Sequence, residues 1–170
     1  MMKFFVLVFL LLTGCTQIPS KVAPVKHFDV NRYLGNWYEI ARLDHSFEKG
    51  LTHVSAQYSI NGNGSIKVIN RGYLKSKEKW KEATGVAYFI RAKDEGLLKV
   101  SFFRPFYGTY AIFDLDQDNY SYALVSGPNL SYLWLLSRTP TISDEVKEKL
   151  LAKARLAGFN TDSLVFVDQK

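Results

Sequence analysis

One stretch near the start of the chain decides the fold: Gly35-Asn36-Trp37-Tyr38-Glu39-Ile40-Ala41-Arg42. A glycine two residues before a tryptophan lets the backbone turn tightly against a large ring. The residues that follow predict a strand. Trp37, Glu39 and Ala41 would lie on one face of it, and Tyr38, Ile40 and Arg42 on the other. We expect the rest of the chain to close around this first strand.

Seven further segments after this stretch have the composition of strands and are separated by short turns. The clearest turn is the Asn-Gly-Asn-Gly stretch at 61–64, because Asn and Gly accept positive φ. No connection is long enough for a crossover helix, so the pattern indicates an all-β, up-and-down antiparallel meander that closes into an eight-stranded barrel. The seven segments are residues 52–60, 65–73, 80–90, 97–103, 106–115, 120–126 and 131–138.

The pattern changes once, after the last barrel strand. Ser143 or Thr141 is the expected N-cap of a helix that has two acidic residues in its first turn and runs to about Ala157. Gly158 fits the position just after its end. We expect this single C-terminal helix to pack outside the barrel, and residues 164–167 to form a short final strand beside the first one.

The first residues resemble the targeting segment of bacterial lipoproteins. Lys3 precedes an apolar run at 4–12, which is too short to span a bilayer and ends in Leu-Thr-Gly before Cys15. The alternative is an ordinary signal peptide with an incidental cysteine. The resemblance implies cleavage after residue 14, acylation of Cys15, and, with Thr16 following, anchoring in the outer membrane of a Gram-negative bacterium. Residues 15–26 then form an acylated tether and 27–170 the folded domain.

Three features of the domain together resemble the lipocalin family, and in particular its bacterial outer-membrane lipoproteins related to apolipoprotein D. Gly35 and Trp37 match the first lipocalin motif, and Arg138 matches the third. Asp118 matches the second motif only in part, because Gln and Asn flank it where the family usually has Thr and Tyr. The resemblance implies that Arg138 packs on Trp37 at the closed end of the barrel, and that these residues are structural.

Composition excludes several classes of function. The net charge is +6, but no nucleic-acid-binding motif accompanies it. One basic run, residues 75–81, is either a solvated hairpin face or a contact with anionic lipid head groups. Cys15 is the only cysteine, so an intramolecular disulfide is excluded. The three histidines, His27, His45 and His53, lack the spacing of a zinc site, so we predict no metal and no cofactor.

Aromatic and aliphatic residues on the strands are the candidates for contact with an apolar ligand. Which of them point inward depends on strand parity, since a slip of one residue replaces the whole set with its neighbours. The alternative is that they simply fill the core. The candidates are Tyr88, Val100, Phe102, Tyr110, Tyr132 and Trp134.

The resemblance implies a protein that binds, and stores or transports, a fatty acid or lysophospholipid, with the acyl chain buried in the barrel. Two alternatives remain open. One is an envelope lipid-modifying enzyme using Asp44 or His45, although the barrel segments contain no cysteine and no Gly-x-Ser-x-Gly motif. The other is a structural lipoprotein with a filled barrel. We predict no enzymatic activity, no catalytic residues and no nucleic-acid partner.

Overall fold

The computed structural model describes residues 17–170 and contains a closed antiparallel barrel. Its strands follow one another around the barrel in sequence order, and β1 pairs with both β8 and β2 to close it. The predicted eight-stranded up-and-down barrel is confirmed. The strands are β1 (Gly35–Leu43), β2 (Leu51–Ile60), β3 (Ile66–Leu74), β4 (Lys79–Phe89), β5 (Leu97–Phe103), β6 (Phe106–Leu115), β7 (Tyr122–Ser126) and β8 (Leu133–Ser137).

Two α-helices, two 3-10 helices of three residues each (Lys75–Lys77 and Thr161–Ser163) and one more strand complete the fold. α1 (Val30–Tyr33) is a short helix that the sequence reasoning missed, capped by the Asp29 carboxylate, which accepts from the Asn31 amide at 2.9 Å. α2 (Asp144–Leu156) is the predicted C-terminal helix, and its N-cap is Ser143. The final strand, β9 (Leu164–Phe166), pairs with β1 as predicted. Neither helix of residues 17–170 has both the length and the apolar character needed to cross a bilayer.

The last two barrel strands are shorter than predicted. β7 begins at Tyr122 instead of residue 120, because Tyr120 has a φ of +54° and belongs to the preceding turn. β8 begins at Leu133 instead of residue 131, because the amide of Tyr132 donates to the Asn129 carbonyl within a turn. Both strands have five residues, so turn hydrogen bonds take the place of ladder hydrogen bonds at these positions.

A bulge in β1 makes the predicted faces of this strand wrong beyond Glu39. The register between β1 and β8 shifts between Glu39 and Ala41. Such a shift inserts one extra residue and reverses the alternation after it. Trp37 and Glu39 share one face, as predicted, and this face points to the barrel interior, but Ala41 packs with Ile40 in the cluster beneath α2. Arg42 then turns back toward Glu39.

Residues 17–26 lie against the barrel, so this part of the predicted tether is not a free spacer. Val22 is buried in the cluster beneath α2. Val25 donates its amide to the Ile112 carbonyl at 2.8 Å and accepts from the Gly96 amide at 2.9 Å. An apolar side chain and backbone hydrogen bonds therefore tie the segment to β6 and to the β4–β5 connection. Cys15 and the predicted signal peptide lie outside the described residues.

The strand directions distinguish two ends of the barrel. β1 starts beside α1, at the closed end, and leads to the open end, where the connections β1–β2, β3–β4, β5–β6 and β7–β8 lie. The two main apolar clusters follow from this arrangement. One fills the lower barrel around Trp37, and the other lies between the outer strand faces and α2.

Candidate ligand-binding cavity and its two ends

The barrel encloses a cavity of about 620 Å³ that opens at one end. This volume falls within the range of small-molecule sites in proteins, roughly 300–1,000 Å³. The lining is largely apolar and comes from the inner faces of the strands, from α1 and from the open-end connections. The cavity has the size and chemistry needed to hold an apolar chain.

Five of the six residues proposed from the sequence line this cavity. They are Val100, Phe102, Tyr110, Tyr132 and Trp134. The structure places Tyr88 elsewhere, which corrects that assignment. Its hydroxyl accepts from Arg104 Nη2 at 3.1 Å, and its ring lies 6.3 Å from that of Tyr107.

Strand parity explains the error. Ala87 and Phe89, the neighbours of Tyr88, both belong to the interior cluster, so Tyr88 must face outward. Of the strands that carry these candidates, only β4 has its outer face predicted as the inner one. Charged residues at the start of β4 hide the alternation of this strand. In β5 the alternation was plain in the sequence, and the predicted face with Val100 and Phe102 is the one that lines the cavity.

Gly35, Trp37 and Arg138 form the closed end. The Arg138 guanidinium lies 4.1 Å from the Trp37 ring centroid, and Nη1 and Nη2 donate to the carbonyls of Asn36 and Arg32 at 2.9 and 2.7 Å. Gly35 has a φ of +92°, and a Cβ there would lie 3.4 Å from Arg138 Nη1. The contacts are those that the resemblance implied, with the indole, the backbone turn and the guanidinium held together.

The second motif works differently from the expectation. Asp118 contributes its carbonyl oxygen, which accepts from Arg32 Nη2 at 2.6 Å. The carboxylate that organises this turn belongs to Asp116, which accepts from the amides of Asn119 and Ser121 and from the Ser121 hydroxyl. Although burial raises it, these hydrogen bonds leave the pKa of Asp116 below its usual value. The structural carboxylate thus lies two residues before the predicted one.

Three tyrosine hydroxyls meet in the lower part of the cavity. Tyr110 Oη lies 2.7 Å from Tyr33 Oη and 2.8 Å from Tyr58 Oη. Burial raises the pKa of all three, so they remain neutral. Three hydroxyls carry three hydrogens but share two hydrogen bonds, which leaves one O–H able to donate to a water or a ligand oxygen. Only Tyr110 of this group was identified from the sequence.

A group of charged residues lies in the upper wall of the barrel. Arg42 is 1% exposed, and its Nη1 donates to Glu39 Oε1 at 2.8 Å while its Nη2 donates to the Glu48 carbonyl at 2.9 Å. Glu48 Oε2 accepts from Trp134 Nε1 at 3.1 Å. Glu39 and Glu48 both line the cavity. Sequence reasoning missed this group, because only the bulge in β1 brings Arg42 to the side of Glu39.

One guanidinium balances one carboxylate, so this group cannot hold two ionised carboxylates at low cost. Burial and the neighbouring Glu48 raise the pKa of Glu39 to about 8, and burial also raises the pKa of Glu48. The two carboxyl groups titrate as a pair that retains a proton near neutral pH. With that proton retained, Arg42 balances the one ionised carboxylate of this pair.

His45 lies beside this group as a neutral aromatic ring. Burial and the Arg42 charge lower its pKa to about 4. Its ring stacks on Phe47 with centroids 4.2 Å apart and faces Tyr132 at 5.3 Å. Nδ1 lies 3.3 Å from Glu48 Oε2, but neither ring nitrogen has a hydrogen-bond partner among the described residues. Likewise, residues 17–170 contain no group of three or more His, Cys, Asp or Glu arranged to hold a metal ion.

Comparison with known proteins places this barrel in a family. A family model described as a lipocalin-like domain matches residues 28–169. Outer membrane lipoprotein Blc of Vibrio cholerae is 53% identical over 167 residues, which cover 98% of each chain. The protein of the same name in Escherichia coli is 52% identical over 151 residues, or 89% of this chain and 85% of the relative. Apolipoprotein D of Macaca fascicularis is 34% identical, covering 80% and 72%.

A solved structure shows the same architecture at lower identity. The cockroach allergen Per a 4 superposes with a TM-score of 0.71 over 92% of this chain and 96% of its own, at 23% identity. At that identity the likeness supports the fold alone. The family match and the relatives above 50% identity carry the assignment, and the chain belongs to the lipocalin family, in a branch with the bacterial lipocalins and, more distantly, apolipoprotein D.

Proposed function

We propose that this protein binds a lipid with one acyl chain, a fatty acid or a lysophospholipid, in its barrel at the outer membrane of a Gram-negative bacterium. The observation that carries the proposal is the open, largely apolar cavity of about 620 Å³. A structural lipoprotein with a filled barrel would have no such space. Storage or transport of the lipid would follow from reversible binding.

Burial of the acyl chain supplies the driving force. Each buried methylene contributes about 0.8 kcal/mol, so ten methylenes would contribute about 8 kcal/mol before entropic costs. The polar head would remain near the mouth, where Arg71 and Lys81 line the cavity edge.

The location rests on the relatives' names and on Cys15. The relatives from Vibrio cholerae and Escherichia coli are named outer membrane lipoproteins. Cys15 follows an apolar run, as the acylated cysteine of a lipoprotein does. Ile18 already packs against the barrel, only three residues after Cys15, so the linking chain reaches about 10 Å when extended. An acyl anchor on Cys15 would therefore hold the barrel at the membrane surface.

The proposal is of a binding protein, not an enzyme. In the enzyme alternative, Asp44 or His45 would act on the lipid. Asp44 Oδ1 lies 3.5 Å from Arg42 Nε, and the pKa of His45 is lowered by burial to about 4, which makes it a weak base. These contacts favour a structural role for both side chains.

Native mass spectrometry of residues 17–170, titrated with palmitate and with lysophosphatidylethanolamine, tests the proposal. We expect one lipid per barrel with an affinity in the micromolar range or tighter. Ala56 lines the cavity, so Ala56→Trp should block binding by occupying the acyl-chain space. Ala152→Trp, on the exposed face of α2, is the matched control and should bind normally. A folded barrel that takes up neither lipid would contradict the proposal, and hydrolysis of the lipid would favour the enzyme.

A further inference from the structure

Two carboxyl groups face the ligand cavity together. Glu39 on β1 is 4% exposed and Glu48 in the β1–β2 connection is 6% exposed, and both line the cavity. Arg42 pairs with Glu39 at 2.8 Å but is not among the residues that line the cavity. A ligand in the upper barrel therefore meets the two carboxyl groups and does not meet the guanidinium.

The polar atoms left without a partner nearby favour a ligand that donates hydrogen bonds. The His45 side chain is 8% exposed, its Nδ1 lies 3.3 Å from Glu48 Oε2, and both ring nitrogens lack a hydrogen-bond partner among the described residues. Asn70 lines the cavity from β3, and its Oδ1 is buried without a partner within residues 17–170. A neutral imidazole has one acceptor nitrogen, and an amide oxygen only accepts. A group with several N–H donors would satisfy what these residues leave open.

A positive side chain lies on the inner face at the mouth of the cavity. Lys81 lines the cavity from β4 and is exposed. It lies opposite Gly72 and an even number of positions before Ala87, which is buried in the interior cluster, so the alternation of β4 turns Lys81 inward. Arg71 and Glu82 also border the cavity, but they pair in register on the outer face. The inner wall of the described barrel therefore has its carboxyl pair on one side and a positive charge across the mouth.

We propose that Glu39 and Glu48 form a binding site for an ammonium group, so that the barrel selects single-chain lipids whose head carries a protonated amine. The site depends on the proposed lipid binding and specifies the head group that the cavity takes. An ammonium brings three N–H donors to carboxyl and amide oxygens. It also lets both carboxylates ionise, because Arg42 and the ammonium together balance two negative charges. A phosphate in the same head would lie toward Lys81.

An anionic head group fits this wall poorly. The carboxylate of a fatty acid placed beside Glu39 and Glu48 would add a third acidic group to a buried site that has one guanidinium. Contacts between like charges are a means by which a site rejects the wrong ligand. A fatty acid in the cavity would therefore keep its carboxylate at the mouth, away from the pair, and gain nothing from it.

Binding of an ammonium should release the proton that the carboxyl pair retains. Burial raises the pKa of Glu39 and of Glu48, and a cation beside them lowers it again. His45 stays neutral because burial lowers its pKa to about 4, and Tyr58 stays protonated because burial raises its pKa. The released proton therefore comes from the pair. The charged and titratable side chains that face the pair are Arg42, Asp44, His45 and Tyr58.

Calorimetric titration measures both the affinity and the number of protons released. The chain from residue 15 onward with Cys15→Ser carries no acyl group and needs no detergent. Lauroyl lysophosphatidylethanolamine and lauroyl lysophosphatidylglycerol share the chain and the phosphate, and only the first carries an ammonium. At neutral pH, in phosphate and in Tris, we expect the ethanolamine lipid to bind about tenfold more tightly and to release a proton. The glycerol lipid should release none.

Matched variants locate the effect. Glu39→Gln and Glu48→Gln should each abolish the proton release and reduce the preference to less than about threefold. Glu148→Gln, on the exposed face of α2, should change neither. Dodecylamine carries an ammonium without a phosphate, so it separates the two contacts. Lys81→Gln should weaken binding of the ethanolamine lipid and leave binding of dodecylamine unchanged.

The outcomes distinguish this site from lipid binding in general. Equal affinity for the two lysolipids, with no proton released by either, would overturn the ammonium site and leave the lipid-binding barrel standing. A preference for the ethanolamine lipid that persists in both glutamine variants would overturn it as well. Uptake of none of the three ligands by the folded chain would contradict lipid binding itself, and the ammonium site with it.

Discussion

The two ends of this barrel are built on opposite principles. At the closed end, Arg138 and Trp37 hold each other and the surrounding carbonyls, and the guanidinium has a carbonyl for each of three donor nitrogens. At the open end, the two ring nitrogens of His45 have no hydrogen-bond partner within residues 17–170, and Phe103 is mostly exposed. The difference teaches that the plug of the barrel is fixed by charge-assisted hydrogen bonds and stacking, whereas an aromatic ring at the open end is left exposed.

The largest expected effect follows from removal of the closed-end arginine. Arg138→Ala deletes three charge-assisted hydrogen bonds to carbonyls and the contact with Trp37, and should lower the free energy of unfolding by about 3 kcal/mol. Urea unfolding followed by far-UV circular dichroism measures it. Arg138→Lys keeps the positive charge but loses the planar guanidinium with its several N–H donors. Its free energy of unfolding should lie between those of the unmodified protein and Arg138→Ala. An unchanged midpoint for Arg138→Ala would show that the closed end does not carry this stability.

A smaller loss is expected from the tyrosine group above it. Tyr110→Phe removes both hydrogen bonds at once and leaves the hydroxyls of Tyr33 and Tyr58 buried without their partner, at a cost of about 2 kcal/mol. Tyr88→Phe is the control, because its hydroxyl meets only the exposed Arg104 side chain, and should change stability by less than about 0.5 kcal/mol. Thermal unfolding of both variants makes the comparison, and equal effects would contradict it.

The open end should make stability depend on pH. An acid whose pKa is raised on folding binds more protons in the folded state, so stability falls as pH rises from the unfolded value toward the folded one. For Glu39 that window runs from 4.5 to about 8. His45, with its pKa lowered from 6.5 to about 4, opposes the fall between pH 4 and 6.5. Above pH 6.5, of these groups, only the carboxyl pair of Glu39 and Glu48 still makes stability depend on pH.

Glu39→Gln isolates this contribution. Between pH 6.5 and 8 the unmodified protein should lose on the order of 1 kcal/mol of stability, and Glu39→Gln should lose much less over the same range. Urea midpoints at half-unit pH intervals measure both curves. Parallel curves would mean that Glu39 is already ionised at pH 6.5 and that Arg42 balances both carboxylates.

The smallest effect on folding should come from an exposed aromatic ring at the open end, Phe103. Phe103 is 75% exposed, so Phe103→Ser should shift the free energy of unfolding by less than about 0.5 kcal/mol. A large loss of stability would show instead that the stack of Phe103 with Phe106 supports the β5–β6 hairpin.

Local patterns were enough to predict the barrel. Alternation along β5 and the Asn-Gly turn after β2 predicted strands and a hairpin that the structure confirms. The capping side chain of Ser143 and the glycine at 158 marked the ends of α2. The contact of Arg138 with Trp37 followed from family resemblance instead, since the two residues are far apart in sequence.

The cavity was predicted only in part, because facing direction depends on register. In β5 the alternation is plain in the sequence, and the predicted residues Val100 and Phe102 line the cavity. In β4 charged residues mask the alternation, and the predicted residue Tyr88 faces outward. The role of Asp116 in place of Asp118 also depends on the exact turn geometry, which several side chains set jointly. Binding by any of these residues stays a prediction.

By itself the sequence determined the strand count, the helix and the family, because these depend on local spacing and on a few residues with special backbone or ring requirements. Tertiary structure alone decided that Arg42 turns inward beside Glu39, that residues 17–26 lie on the barrel, and that side chains from two separate open-end connections line one cavity. The reason is physical. A bulge is selected by the packing of both neighbouring strands, and a surface assembled from distant loops exists only when the barrel has closed.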